Sequence, residues 1–127
     1  MARRFNFSDI ISVLKKSTLV SKIEKREADE ITRRGFYKIK CQLIPSKYKL
    51  DMKFIKTQNE FIYSFQLYTT TSLARWDNEP HFPHIKTFPH HFHDSDDKVH
   101  ESNLIGDAKE DLKIVLSEIK KILGNKI

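Results

Sequence analysis

The sequence predicts an α+β fold: an antiparallel β-meander of about five strands, one face covered by a C-terminal amphipathic helix and a short N-terminal helix. Two patterns point there. Between residues 36 and 76, apolar and polar side chains alternate with a period of two and are broken by tight turns. After Asp107 the period becomes helical, and the apolar stripe it makes needs a sheet face to cover.

Ser8-Asp9 reads as a helix start, with Ile10, Ile11 and Leu14 at helical spacing and an end near Ser17-Thr18. Residues 19–34 fit a helix through Val20, Ile23 and Ile31, or an edge strand through Leu19, Ser21 and Ile23; a strand that frays near Asp29 is the reading taken. Gly35 then breaks the pattern. In FYKIKCQLI, Tyr37, Ile39, Cys41 and Leu43 alternate with Lys38, Lys40 and Gln42, and Pro45-Ser46 turns the chain. In KYKLDMKF, Tyr48, Leu50, Met52 and Phe54 alternate with Lys47, Lys49, Asp51 and Lys53. FIYSFQLY repeats the alternation with Phe61, Tyr63, Phe65 and Leu67, and LARW follows, with Trp76 as a core residue. From Asp107 to Leu123, Ala108, Leu112, Val115, Leu116, Ile119, Ile122 and Leu123 share one helical face. Asp107 is the fitting N-cap, and Gly124-Asn125 ends the helix.

These elements make one domain over 1–127: an N-terminal helix at 1–18, a sheet at 19–78, a His/Pro-rich segment at 79–106 and a helix at 107–124. The single cysteine, Cys41, excludes an internal disulfide and fits a reducing compartment. No apolar run approaches the ~20 residues of a membrane span, and Asp9 interrupts the basic opening before any cleavage site, so a soluble cytoplasmic protein is expected.

Charge is divided unevenly. Residues 1–58 carry 15 Lys/Arg against 6 Asp/Glu, whereas residues 59–127 carry 8 against 11. If the apolar residues of the two central strands face inward, Lys38, Lys40, Lys47, Lys49 and Lys53 face outward together. Such a ladder either binds a nucleic-acid phosphate backbone or guards the strands and meets water. No aromatic pair accompanies it, so base stacking is not indicated on that face.

RWDNEPHFPHIKTFPHHFH, residues 75–93, holds five of the six histidines and three prolines. The spacing is not that of a zinc finger, although Asp77 with two histidines offers three ligands of an open metal site. Acid–base chemistry explains the cluster without a metal. Two imidazoles flanking a phosphodiester deprotonate a ribose 2′-hydroxyl and protonate the leaving 5′-oxygen, while Arg75 or a ladder lysine holds the phosphoryl oxygens. His90, His91 and His93 are the tightest group, and in an extended chain His91 and His93 share a face that His90 opposes. A third reading is a surface loop, which Pro80, Pro83 and Pro89 would hold on a stiff, extended path.

Residues Arg75 to His93, followed by DDKVHESN and the helix LKIVLSEIKKIL, resemble the TumE-like family of toxin–antitoxin toxins, whose members share R-W/Y-D-N-A-P-H-H-P-x-x-x-T-F-P-H-H-x-H before a final helix. Glu79 stands where alanine is usual, and Phe82 where a second histidine is common, which leaves His81, His84, His90, His91 and His93 as candidates. The resemblance covers most of the chain beyond the first helix. It implies a small cytoplasmic toxin silenced by a cognate antitoxin. A meander with a basic face is also similar to RelE-type ribonucleases, which need no metal, by analogy of fold alone.

The expected function is therefore a toxin acting on RNA as a metal-independent endoribonuclease, with no cofactor. Its site would hold Arg75, Asp77, His81, His84, His90, His91 and His93, with RNA bound by Lys38, Lys40, Lys47, Lys49 and Lys53. Asp77 would orient an imidazole or hold Arg75. The alternative is a non-catalytic module whose His/Pro-rich segment docks a protein or nucleic acid, with Trp76 and Phe88 as contacts. A free edge near residues 19–29 is left for an antitoxin segment or for a second copy in a homodimer.

Overall fold

A computed structural model describes residues 5–124. Helix α1 spans Phe7–Lys16 and is followed by seven strands: β1 Val20–Ile31, β2 Arg34–Leu43, β3 Lys49–Lys56, β4 Phe61–Tyr68, β5 Ser72–Asp77, β6 His91–His93 and β7 Val99–Glu101. Helix α2, Ala108–Gly124, closes the described chain; Asn125 of the expected C-cap lies outside it. Every neighbouring pair of strands is antiparallel, in the order β1-β2-β3-β4-β5-β6-β7.

The period-two residues do what their alternation requires. Tyr37, Ile39, Cys41 and Leu43 of β2, Leu50, Met52 and Phe54 of β3, and Tyr63, Phe65 and Leu67 of β4 are buried on one face. Ala74 and Trp76 extend that face on β5, and Ile10, Ile11 and Leu14 of α1 with Leu112, Val115 and Ile119 of α2 cover it. Full burial of each large side chain contributes about 1.5–3 kcal/mol, which makes this single cluster the main source of cohesion. Trp76, 1% exposed, donates its indole N–H to Glu118 Oε2 at 2.6 Å, so its polar end is satisfied at the sheet–helix seam. Asp111, fully buried on α2, accepts from the Tyr63 hydroxyl and from the backbone N–H groups of Ile105 and Gly106.

Several expectations change. The N-cap of α1 is Asn6, not Ser8: its Oδ1 accepts the backbone N–H groups of Ser8 and Asp9 at 2.9 and 3.3 Å. β1 does not fray at Asp29 but continues to Ile31, because Glu30 still pairs with Gly35. The break falls at Thr32-Arg33, where Arg33 takes φ 65°, while Gly35 lies inside β2 under the Tyr37 ring. A Cβ there would meet Tyr37 Cε2 at 2.6 Å. Asp107 caps α2 as expected, accepting Glu110 N–H at 3.1 Å.

The largest change is in the His/Pro-rich segment. It contributes β6 and β7, so the sheet has seven strands rather than five and runs to Glu101 rather than stopping at Asn78. The prolines do not stretch residues 82–90 into an extended path. Successive turns form instead, with Ile85 N–H donating to Phe82 O, Phe88 N–H to Ile85 O and His90 N–H to Thr87 O. Proline fixes φ near the value that such turns use, so it serves a folded loop as well as a straight one. Among the described residues, no helix is long and apolar enough to cross a membrane.

Candidate functional site

The sheet face turned away from the helices carries two polar rows that cross the strands. One runs Lys38, Lys53, Ser64, Asp77, His91; the other runs Lys40, Asp51, Gln66, Arg75, His93. Each neighbour is one strand spacing away, so about 19 Å separates the lysine end from the histidine end. Lys38, Lys40 and Lys53 therefore share one surface with His91 and His93.

At the histidine end, Arg75 and Asp77 share a face because they are two residues apart on β5. Arg75 donates from Nε and Nη2 to Asp77 Oδ2 at 3.1 and 3.0 Å, while the backbone N–H of Glu79 donates to Oδ1 at 2.6 Å. These three bonds satisfy both oxygens of a carboxylate that is only 4% exposed. β6 then lays His91 opposite Asp77 and His93 opposite Arg75. His91 Nε2 lies 3.8 Å from Asp77 Oδ1, and the His91 and His93 rings meet edge to face at 4.9 Å. Phe82 packs over both, 4.8 Å from the His91 ring and 5.9 Å from that of His93.

The tautomers follow from the partners. His91 Nδ1 lies 3.0 Å from Pro89 O, and a carbonyl only accepts, so Nδ1 carries the proton. His93 Nδ1 lies 3.1 Å from Asp97 Oδ1 and donates to that carboxylate in the same way. In each neutral ring Nε2 then bears a lone pair. Burial separates the two: His91 is 2% exposed, whereas the His93 side chain is 18% exposed and that of Arg75 37%. Solvent reaches His93 and Arg75 first.

The other expected residues are dispersed around this centre. His84 is exposed, its ring 6.3 Å from Phe82. His81 is exposed beside Glu79, 3.4 Å from its Oε2. His90 does not join: it lies in the loop before β6, and its ring is 6.2 Å from that of Tyr63. His100 of β7 binds Asp94 Oδ2 at 2.7 Å. That hydrogen bond, with the Lys98 N–H, holds the Asp94 carboxyl below its ordinary range and ties the β6–β7 turn. The lysine ladder is also less uniform than its spacing suggests. Lys49 pairs with Glu24 at 2.8 Å, Asp51 interrupts the second row, and Lys47 sits in the turn before β3 over the Tyr48 ring. Lys38, Lys40 and Lys53 keep the outward face.

Sequence reasoning missed Asp97, the Pro89 carbonyl, the covering ring of Phe82 and the polar floor of Ser64 and Gln66. A signal for Asp97 was present: HFH and VHE alternate on either side of DSDDK, as a short hairpin does. Asp97 takes φ 61° in that turn, a conformation aspartate tolerates better than most residues.

A family model described as Toxin TumE matches residues 10–123. No curated protein and no solved structure shows a significant match.

Proposed function

The chain belongs to the TumE toxin family, and from that premise we propose that it is an endoribonuclease that cuts RNA by histidine acid–base chemistry without a metal. One observation carries the reading: β5 and β6 pair Arg75 with His93 and Asp77 with His91 on the face that also bears Lys38, Lys40 and Lys53.

RNA lies across that face, its phosphates drawn by the lysines, and one phosphodiester sits against Arg75. His93 Nε2 takes the proton of the ribose 2′-hydroxyl, and Asp97 on Nδ1 stabilises the imidazolium that forms. The 2′-oxygen attacks phosphorus, the bond to the 5′-oxygen breaks, and a second imidazole protonates the leaving oxygen. His84 is assigned that step, because it is exposed and shares the Phe82 ring with His93. The products are a 2′,3′-cyclic phosphate and a 5′-hydroxyl. Arg75 neutralises the charge that gathers on the phosphoryl oxygens. His91 is too buried to touch RNA and acts as a positioning residue, its ring packed edge to face against that of His93.

A toxin of this kind acts in the cytoplasm and is silenced by a cognate antitoxin. β1, a 12-residue strand at the sheet edge, offers unpaired backbone groups to an antitoxin segment. A second copy of the chain would compete for the same edge. The docking-module alternative loses one of its two contacts, since Trp76 is buried; Phe88, 44% exposed, keeps the other.

The test is cleavage of RNA in the presence of a chelator by the parent protein, His93→Ala and His91→Ala. The parent cuts, and His93→Ala loses on the order of 10²–10⁴ in rate. His91→Ala loses less. Equal rates in all three would remove these imidazoles from the reaction.

A further inference from the structure

Asp77, His91 and His93 each offer one ligand atom, and these atoms lie within 4.8 Å of one another. The contacts around them have a feature that proton transfer does not require. With Nδ1 of His91 committed to the Pro89 carbonyl, the neutral ring turns a lone pair at Asp77 Oδ1 across 3.8 Å. Two acceptors face each other, and even a protonated Nε2 would be too far for a hydrogen bond. A cation between them would take the Nε2 lone pair and a free lone pair of Oδ1 beside the Glu79 N–H. His93 brings a third lone pair, since its Nδ1 is likewise committed, to Asp97.

We propose that Asp77, His91 and His93 form a binding site for a divalent transition-metal ion of the zinc type. Both imidazoles already donate Nδ1–H to an oxygen, as metal-bound histidines do, so the tautomers are set before any ion arrives. The carboxylate is held likewise, by Arg75 on one oxygen and by Glu79 N–H on the other. Tetrahedral coordination at ~2.1 Å spaces ligand atoms about 3.4 Å apart. The 3.8 Å pair thus needs only a small side-chain adjustment, and all three ligand atoms already lie within 4.8 Å of one another. Two nitrogens and one oxygen select a borderline ion such as Zn²⁺ or Co²⁺, whereas Mg²⁺ and Ca²⁺ seek oxygen ligands alone. Asp77 supplies one negative charge and the Arg75 guanidinium stands beside it, so the site binds reversibly rather than serving as a structural staple.

This inference uses the residues of the cleavage reading but not the reaction, and its test contains no RNA. Untagged protein is titrated with Co²⁺ and followed by visible absorption, with circular dichroism confirming that each variant is folded. One Co²⁺ per chain should bind with the spectrum of a four-coordinate ion, displaced by Zn²⁺. His93→Ala and His91→Ala should each weaken binding at least about tenfold, the usual scale for disturbing such a site, and His100→Ala should bind as the parent does. Absence of saturable binding in the parent would overturn the proposal. So would folded His91→Ala and His93→Ala variants that bind Co²⁺ as tightly as the parent.

Discussion

The two ends of the outer sheet face are built on the same pleat but on opposite principles. At the lysine end, on β2 and β3, charge stands on long side chains that reach into water, and Lys53 is exposed. At the histidine end, on β5 and β6, Asp77, His91 and His93 are short and partly or wholly buried, and each is held by a hydrogen-bond partner. Long solvated charges attract an anion without fixing its position. Buried, partnered groups fix a position but reach only what comes to them. On the proposed reading one face divides capture from chemistry, and the division can be tested by changing one end at a time.

The largest effect is expected at Arg75. Arg75→Ala removes the proposed phosphate ligand and also leaves Asp77 with a buried, undercompensated charge. Cleavage should fall at least about 100-fold, as when an oxyanion donor is lost. Urea unfolding should show a loss of about 1–3 kcal/mol. Unchanged stability would mean that Asp77 is satisfied by the Glu79 N–H alone.

The bound-ion site gives the next effect. A Zn²⁺ ion on His93 Nε2 would occupy the lone pair that the proposed cleavage uses, so saturating Zn²⁺ should suppress RNA cutting and a chelator restore it. Cleavage that instead needs the ion would keep the site and discard the metal-free mechanism.

At the lysine end the change should be smaller and of another kind. Lys38→Gln with Lys53→Gln should flatten the plot of log affinity for single-stranded RNA against log salt by about 1.4, at roughly 0.7 per lost phosphate contact. The rate at saturating RNA should stay unchanged. A fall in that rate would show that the lysines take part in the reaction itself.

The smallest effect lies in the β6–β7 turn. Asp94 has its pKa lowered, first by the His100 hydrogen bond. A carboxyl depressed in the folded state adds stability above its unfolded pKa, and that contribution is lost as pH falls through the folded value. His100→Ala should therefore move the Asp94 titration upward by NMR and reduce the turn's acid tolerance. An unmoved titration would assign the lowering to the backbone N–H groups of Lys98 and Asp96.

Where side chains alternate over eight or more residues, as in β2, β3 and β4, the sequence already contains the sheet, because burial of one face requires that period. The same holds for the stripe of α2. β6 and β7 are three residues each, too short for a period to stand out, and only the pairing of β6 with β5 and of β7 with β6 makes strands of them. The site was legible in part for the same reason. That His91 and His93 share a face follows from extended geometry, but that they lie beside Arg75 and Asp77 depends on β6 joining the sheet edge. The covering ring of Phe82 depends on loop turns that proline content alone did not distinguish from an extended path. The lysines' outward direction was readable from alternation, whereas the Lys49–Glu24 pair required the β1–β2 register.

The central claim is that His93 and Arg75 act on a phosphodiester through the neighbouring 2′-hydroxyl. Its most direct test is the chemistry of the cut ends, with one RNA strand and the same strand carrying a single 2′-deoxy sugar at the cleavage position. The expected result is a 2′,3′-cyclic phosphate and a 5′-hydroxyl from the first strand, and no cut at that position in the second although it binds equally well. Cleavage of the deoxy strand at the same position and rate would contradict the account.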